Sequence, residues 1–328
     1  MNTLLEKLCL AQGPSGYEGG IREVIEEAVK PYVDETRTDA LGNLIAVRKG
    51  EGPRVMLAAH MDQIGFLVTF IDKEGFVHFA AVGGHSPLTL VNRPVCFLNG
   101  VRGVIGRTGK SIEPSKLSFN DLFIDIGAAS KEQAEQLVAI GDLAVPAFFY
   151  QQTGSRMTCG AMDNRVGCYV VIEALKRLKD LPLGCEVHAV FTVQEEVGCR
   201  GAGVAAYGIE PDWAVALDVT ATGDVPGAAP MAVSLGKGAA IKVKDSSLIC
   251  HPHIKQKLID AAEAAGAPYQ MEVLTAGGTD SSAIMLVRDG IPSGVLSIPC
   301  RYIHSAVETV DEGDVEACVA VLTQLLKK

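Results

Sequence analysis

Six side chains, spread from residue 60 to residue 304, are of types that do hydrolytic chemistry when brought together. Two of them adjoin, in Gln194-Glu195-Glu196-Val197-Gly198, at the end of the apolar, β-branched run Cys185 to Val193. That run reads as a buried strand. Ionised carboxylates at its tip need positive charge or metal as partners. Neighbouring strand residues point opposite ways, so one acid can hold a metal while the other faces a bound water. His60 follows the strand-like run Arg54 to Ala59, and Asp62 lies two residues on, where it can take the second imidazole proton and fix the ligating tautomer. Asp163 stands just before a helical pattern over residues 166–179; Asn164 can cap that helix, which frees Asp163. Asp218 closes the strand Trp213 to Leu217, and His304 follows the strand Ser293 to Ile298. Each feature alone has a bland reading: a solvated turn, an N-cap, an ordinary Asp or His after a strand.

Together, His60, Asp163, Glu196, Asp218 and His304 offer two imidazoles and three carboxylates, mostly at carboxyl ends of strands, where open α/β sheets place their sites. Without cations the group would carry a charge of about −3 in a low-dielectric mouth, and two divalent ions would offset it. Imidazole favours zinc or cobalt, and carboxylates tolerate manganese. Five ligands serve two ions with three each only if one is shared, and Asp163 is the choice for the bridge. The ions would lie ~3.5–4 Å apart, and a water held between them becomes a nucleophile near neutral pH. Glu195 is then left over to move that water's proton to a leaving amine. The reaction class is amide hydrolysis.

The positioning elements follow from the pattern. Residues 3–12 and 21–30 have helical spacing around the break Gly13-Pro14-Ser15-Gly16, and a turn at Leu41-Gly42-Asn43 leads into a strand ending at Val47. From 64 to 150 short alternating segments recur (64–71, 76–82, 94–98, 102–107, 122–126), punctuated by Gly and Pro. This is a β-rich insertion in an α/β domain made of 1–63 and 151–328, suited to association or to shaping access. His78 and His85 within it read as satisfied or exposed histidines. Ala276 to Ser282 forms a Gly-rich loop opening a helix over 283–287, able to hold a carbonyl or carboxylate or merely to cap the helix. Val310 to Leu326 reads as an amphipathic packing helix.

Composition narrows the function. In 328 residues, 48% hydrophobic and 21% charged, the chain is an ordinary globular protein. A net charge of −10 without a basic cluster, and only 5% aromatic residues, exclude nucleic acid and anionic membrane as natural partners. The start, Met1 to Leu8, is too polar for a secretory h-region, no stretch is long enough to span a bilayer, and nine scattered cysteines without a CxxC pair suit reduced thiols in the cytoplasm. Cys159, Cys168, Cys199 and Cys300, all near proposed site residues, read as small buried hydrophobes.

The motifs Ala59-His60-Met61-Asp62, Met162-Asp163-Asn164-Arg165, Gln194 to Gly198, Leu217-Asp218-Val219 and Arg301 to Ser305 resemble those of the tetrahedral, co-catalytic dimetal aminopeptidases. That family includes glutamyl and deblocking aminopeptidases, and some members carry an endoglucanase label. Pro14 to Glu18 and Asp121 to Gly127 extend the likeness along nearly the whole chain. The resemblance implies a mixed-sheet α/β catalytic domain, a PDZ-like dimerisation insert over 64–150, peptide substrates, and self-assembly through dimers to a twelve-subunit tetrahedron. It implies that His60 and Asp218 hold one metal, Glu196 and His304 the other, and Asp163 both. Glu195 is then the base, Asp62 the partner of His60, and Gly278-Thr279-Asp280 a loop beside the substrate. Gln63, Ser281 and Ala306 depart from the family pattern, which bears on substrate preference and loop rigidity. A carboxypeptidase or deacylase built on the same metals, and an endoglucanase, are the competing expectations; Glu195 and Glu196, adjacent and pointing apart, make a poor glycosidase pair.

Overall fold

The computed structural model describes residues 3–109 and 113–328. At its centre the strands Glu186–Thr192, Arg54–His60, Trp213–Thr220 and Ser293–Arg301 lie side by side, in that order and parallel. Each is an apolar run because both of its faces are covered. In Arg54–His60, Val55, Leu57 and Ala59 enter one core, where Val166 and Val170 of the helix Met162–Leu178 meet them. The alternate residues Met56 and Ala58 enter a second core against Ala202 and Ala205 of the helix Arg200–Ile209. Antiparallel strands extend the sheet on both sides, among them Leu44–Arg48 next to Glu186–Thr192 and Glu308–Asp311 next to Ser293–Arg301. The result is a mixed sheet with helices on both faces.

Because the four central strands are parallel, their carboxyl ends share one edge. Thr192 pairs with His60 there, and Asp218 pairs with Ser297. The residues 64–150 leave from that edge and contain a separate structure: six strands, from Gly65–Ile71 to Leu143–Pro146, closed into a barrel around Phe66, Val68, Phe79, Phe97, Ile105 and Ile124. Phe66 and Phe79 meet edge to face, with centroids 5.0 Å apart.

Three of the differences from the sequence expectation concern the barrel and the surroundings of the site. The strand Leu143–Pro146, too short and too proline-bounded to stand out, closes the barrel by pairing with both Gly65–Ile71 and Pro94–Phe97. Val310 is buried in the strand Glu308–Asp311, and the last helix starts only at Glu312, capped by Asp311 accepting from the Gly313 amide. The Gly-rich loop opens one helical turn, Ser281–Ile284, because the chain must turn back within a few residues to enter Ser293–Arg301. A single turn has too little aligned dipole to hold a carboxylate.

Asn43 ties the strand tip to its helix. Its Oδ1 accepts from the Val193 amide at 3.0 Å, and its Nδ2 donates to the Gly201 carbonyl at 3.0 Å. Helix and strand can approach this closely because residue 201 has no side chain: a Cβ there would lie 2.3 Å from Asn43 Oδ1 and 2.6 Å from the Val193 carbonyl oxygen. Gly201→Ala is therefore expected to lower unfolding stability by ~1–3 kcal/mol, the usual cost of overpacking a tight site. Urea denaturation should show a lower midpoint at unchanged slope.

Candidate active site

The carboxyl edge of the sheet gathers all six side chains. His60 is the last residue of its strand, Glu195 and Glu196 follow Glu186–Thr192, Asp218 lies near the end of Trp213–Thr220, and His304 follows Ser293–Arg301. Asp163 comes from another direction, at the start of Met162–Leu178, where it and Asn164 keep non-helical backbone. Asn164 caps the helix, its Oδ1 accepting from the Gly167 amide at 3.1 Å, and so leaves the Asp163 carboxylate free to face the cavity.

Asp163 sits between the two imidazoles. Its Oδ1 is 2.9 Å from His60 Nε2 and its Oδ2 is 3.4 Å from His304 Nε2. Asp218 Oδ1 lies 3.7 Å from His60 Nε2, and Glu196 Oε2 lies 3.1 Å from His304 Nε2. Two donor groups result: His60, Asp163 and Asp218 in one, Asp163, Glu196 and His304 in the other, with ligand atoms in each group within 4.8 Å of one another. Glu195 belongs to neither, and its Oε2 lies 3.9 Å from His60 Nε2.

The electrostatics of this cluster call for cations. Burial alone would push His60 down, yet Glu195, Asp163, Asp218 and Asp62 hold it well above its ordinary range. Burial likewise opposes a proton on His304, but Asp163 and Glu196 raise it to about 11. Burial and the neighbouring Asp163 push Glu196 up to about 7. Glu195 is raised well above the usual carboxylate range, by burial and by Asp218 and Asp280, with His60 opposing. Asp163 goes the other way: despite burial, its bonds to the two imidazoles keep it below its ordinary value. Protons here stand where positive charge is wanted. A donor set of two imidazoles and three carboxylates, shared through both oxygens of one Asp, fits a pair of divalent cations.

Backbone amides fix the geometry around the cluster. Asp62, fully buried, accepts from the amides of Glu195 and Glu196 at 3.0 and 3.2 Å and from Ser15 Oγ at 2.6 Å. Its Oδ1 is also 3.3 Å from His60 Nδ1, off the line of a good hydrogen bond. Glu308 does the same on the other side. Buried, it accepts from the Asp163 amide at 2.9 Å and from the His304 amide at 2.7 Å. Sequence reading missed Glu308, whose only signal is an acid next to an apolar β pattern.

Other expectations sort as follows. Of Gly278, Thr279 and Asp280, only Gly278 lines the cavity; Thr279 and Asp280 are buried behind it, with Asp280 drawn inward to accept from the Thr192 hydroxyl. Cys159, Cys168 and Cys300 are buried, but Cys199 is more than filler: its thiol lies 3.3 Å from Glu195 Oε1. His85 donates to or accepts from no acid; it stacks on Phe66 and bonds the Gly65 carbonyl, and burial lowers it to about 4. His78 is part-exposed beside Asp72. Gln63 accepts from the Gly13 amide and from buried Arg165, Ser281 donates to the Gly294 carbonyl, and Ala306 lies at the seam with the barrel. At that seam Gly84 abuts the His304 ring so closely that a Cβ would lie 2.6 Å from Nδ1.

Two linked His-and-carboxylate groups at the carboxyl edge of a mixed α/β sheet, with one further acid left unattached, make an arrangement suited to hydrolysis. The chain belongs to the M42 glutamyl aminopeptidase family, whose profile it matches over residues 42–321, and it is a peptide-bond hydrolase. A protein of Acetivibrio thermocellus provisionally named an aminopeptidase is 48% identical over 326 residues, covering 99% of this chain and 98% of its own. The lysyl aminopeptidase of Pyrococcus furiosus is 34% identical over 340 residues, covering 99% and 96%. Among solved structures, the Pyrococcus horikoshii TET1 peptidase, described as assembling into a tetrahedron or a large octahedral shell, superposes with a TM-score of 0.88 at 38% identity, covering 99% of each chain. Among the described residues no helix is long and apolar enough to cross a membrane.

Metal removal tests the electrostatics. Unfolded, His304 loses its proton near 6.5 and Glu196 near 4.5; folded and cation-free, they hold protons to about 11 and about 7. The folded form then binds more protons across roughly pH 5–9, so stability must fall as pH rises. Thermal melts of chelator-treated protein should show Tm dropping over that window, and added zinc or cobalt should raise Tm most at the alkaline end.

Proposed function

We propose that this chain releases N-terminal residues from peptides by hydrolysis, with two divalent cations as its cofactors, zinc first and cobalt or manganese as alternatives. The observation that carries the reading is the two-sided placement of Asp163, one oxygen towards each imidazole. His60 and Asp218 would hold one cation, Glu196 and His304 the other, and Asp163 both. Bound there, the cations would supply Lewis acidity towards the scissile carbonyl and lower the proton affinity of the attacking water.

The chain's own residues do the rest. Glu195, unattached to either donor group, takes the water's proton as the water adds to the carbonyl carbon, then gives it to the amine as the C–N bond breaks. The low-dielectric surroundings that raise its proton affinity suit both halves of that task. Asp62 orients His60 and, through two amides, keeps Glu195 and Glu196 in register. Among the described residues no Lys or Arg lines the cavity, so a carboxypeptidase's substrate carboxylate would find no cationic side chain there. That favours the amino end of the peptide as the part held next to the acids.

Self-association through the barrel, to dimers and a tetrahedral dodecamer, is part of the same reading. Large apolar side chains stand exposed on it, including Phe70, Leu88 and Ile140, the last 68% exposed. Reduced thiols and the acidic balance suit a cytoplasmic peptidase.

Two outcomes are expected. Glu195→Gln should keep its two cations, measured by metal analysis, yet lose ~10²-fold or more in kcat on aminoacyl-anilides, the scale of a lost general base; unchanged turnover would remove Glu195 from the role. Ile140→Glu should shift light-scattering mass towards smaller species while the far-UV spectrum stays the same.

A further inference from the structure

The residues that line the cavity beyond the cages divide sharply by chemistry. Val219 and Ala221 follow Asp218, Leu274 and Ala276 follow the strand Tyr269–Val273, and Ile303 precedes His304; together they form an apolar wall in a cavity of about 450 Å³. The polar groups on or behind that wall are already engaged. The Thr220 hydroxyl donates to Glu272 Oε1 at 2.8 Å, and the Cys199 thiol is turned to Glu195. Behind Thr220, the buried Lys242 ammonium lies 2.7 Å from Glu272 and 3.4 Å from Asp245, and none of these three side chains lines the cavity. The carboxylates that do line the cavity are those of the two donor groups and Glu195. Four carboxylates facing two divalent cations would sum to no net charge, so the cavity as a whole would attract neither sign of side chain.

We infer that this wall, formed by Val219, Ala221, Leu274, Ala276 and Ile303, receives the side chain of the substrate's first residue and selects uncharged aliphatic residues of leucine or methionine size over glutamate and lysine. The inference rests on the aminopeptidase reading above. A glutamate or lysine side chain entering the wall would shed water without gaining a partner, which is costly, whereas an aliphatic one gains by burial. The cavity falls within the ordinary size range for small-ligand sites and is not restricted to glycine or alanine. The family description names glutamyl activity and one relative is named for lysine; the side chains that would recognise either charge are absent from this wall among the described residues.

The test is a set of leucyl-, methionyl-, glutamyl- and lysyl-anilides on the full-length protein with its metal content verified. The leucyl and methionyl substrates should exceed the charged ones in kcat/KM by ~10²-fold or more, the scale of leaving a charge unpaired in an apolar site. Leu274→Lys, at a half-buried loop position, should raise the glutamyl-to-leucyl ratio about tenfold or more, and Leu274→Asp should do the same for lysyl-to-leucyl. A glutamyl or lysyl preference in the unaltered protein overturns the inference while leaving the aminopeptidase reading intact, as do Leu274 variants with unchanged ratios. No hydrolysis of any anilide by metal-replete protein defeats the aminopeptidase reading itself, and this inference with it.

Discussion

Carboxylates crowded into a poorly hydrated cleft cannot all be ionised unless positive charge sits among them, and the site is built around that constraint. Asp163, Glu196 and Asp218 converge with Glu195 at the mouth of the sheet, and the two imidazoles respond by gripping protons far more tightly than free histidine does. Glu195 and Glu196 shift in the same direction, holding their protons and resisting ionisation. Asp163 alone is kept readily ionised, because it has an imidazole on each side. The directions follow from position: the acid between the two imidazoles is held ionised, and the unattached acid, buried among other carboxylates, is held towards its protonated form.

Holding such a cluster in place takes acceptors for backbone donors rather than a rigid cage of side chains. Asp62 and Glu308 serve this purpose from opposite sides, one accepting the amides of Glu195 and Glu196, the other those of Asp163 and His304. Each is buried, and each converts chain segments distant in sequence into one fixed frame. The parallel strands provide the coarse alignment, bringing His60, Asp218 and the two glutamates to one edge. The two buried acids provide the fine one. Together they hold the six side chains in one arrangement.

Much of this was legible in the chain. Apolar runs ending in His60, Asp218 and the Glu pair are visible because parallel strands are buried on both faces, and their carboxyl ends are where such sheets leave room for a site. Asn164 was readable as the cap that frees Asp163. What could not be read are contacts with no local pattern. Glu308 holds Asp163 across 145 positions, and nothing near it in sequence announces a partner. Cys199 looked like filler because the hydrogen bond to Glu195 depends on the left-handed turn between them. The Gly-rich loop misled in the other direction: its composition suggested a helix start over 283–287 open to substrate, whereas Asp280 is pulled inward by Thr192 and the helix is the single turn Ser281–Ile284.

The segment that follows the barrel strand Val77–Val82 meets the site at two adjacent glycines, Gly84 against the His304 ring and Gly83 against the Glu196 side chain. With no side chain as a cushion at either position, a slight tilt of the barrel would press on His304 and Glu196 together. The inserted domain is thus geared to one half of the cage, and whatever grips its outer surface has a lever on how tightly that half can close.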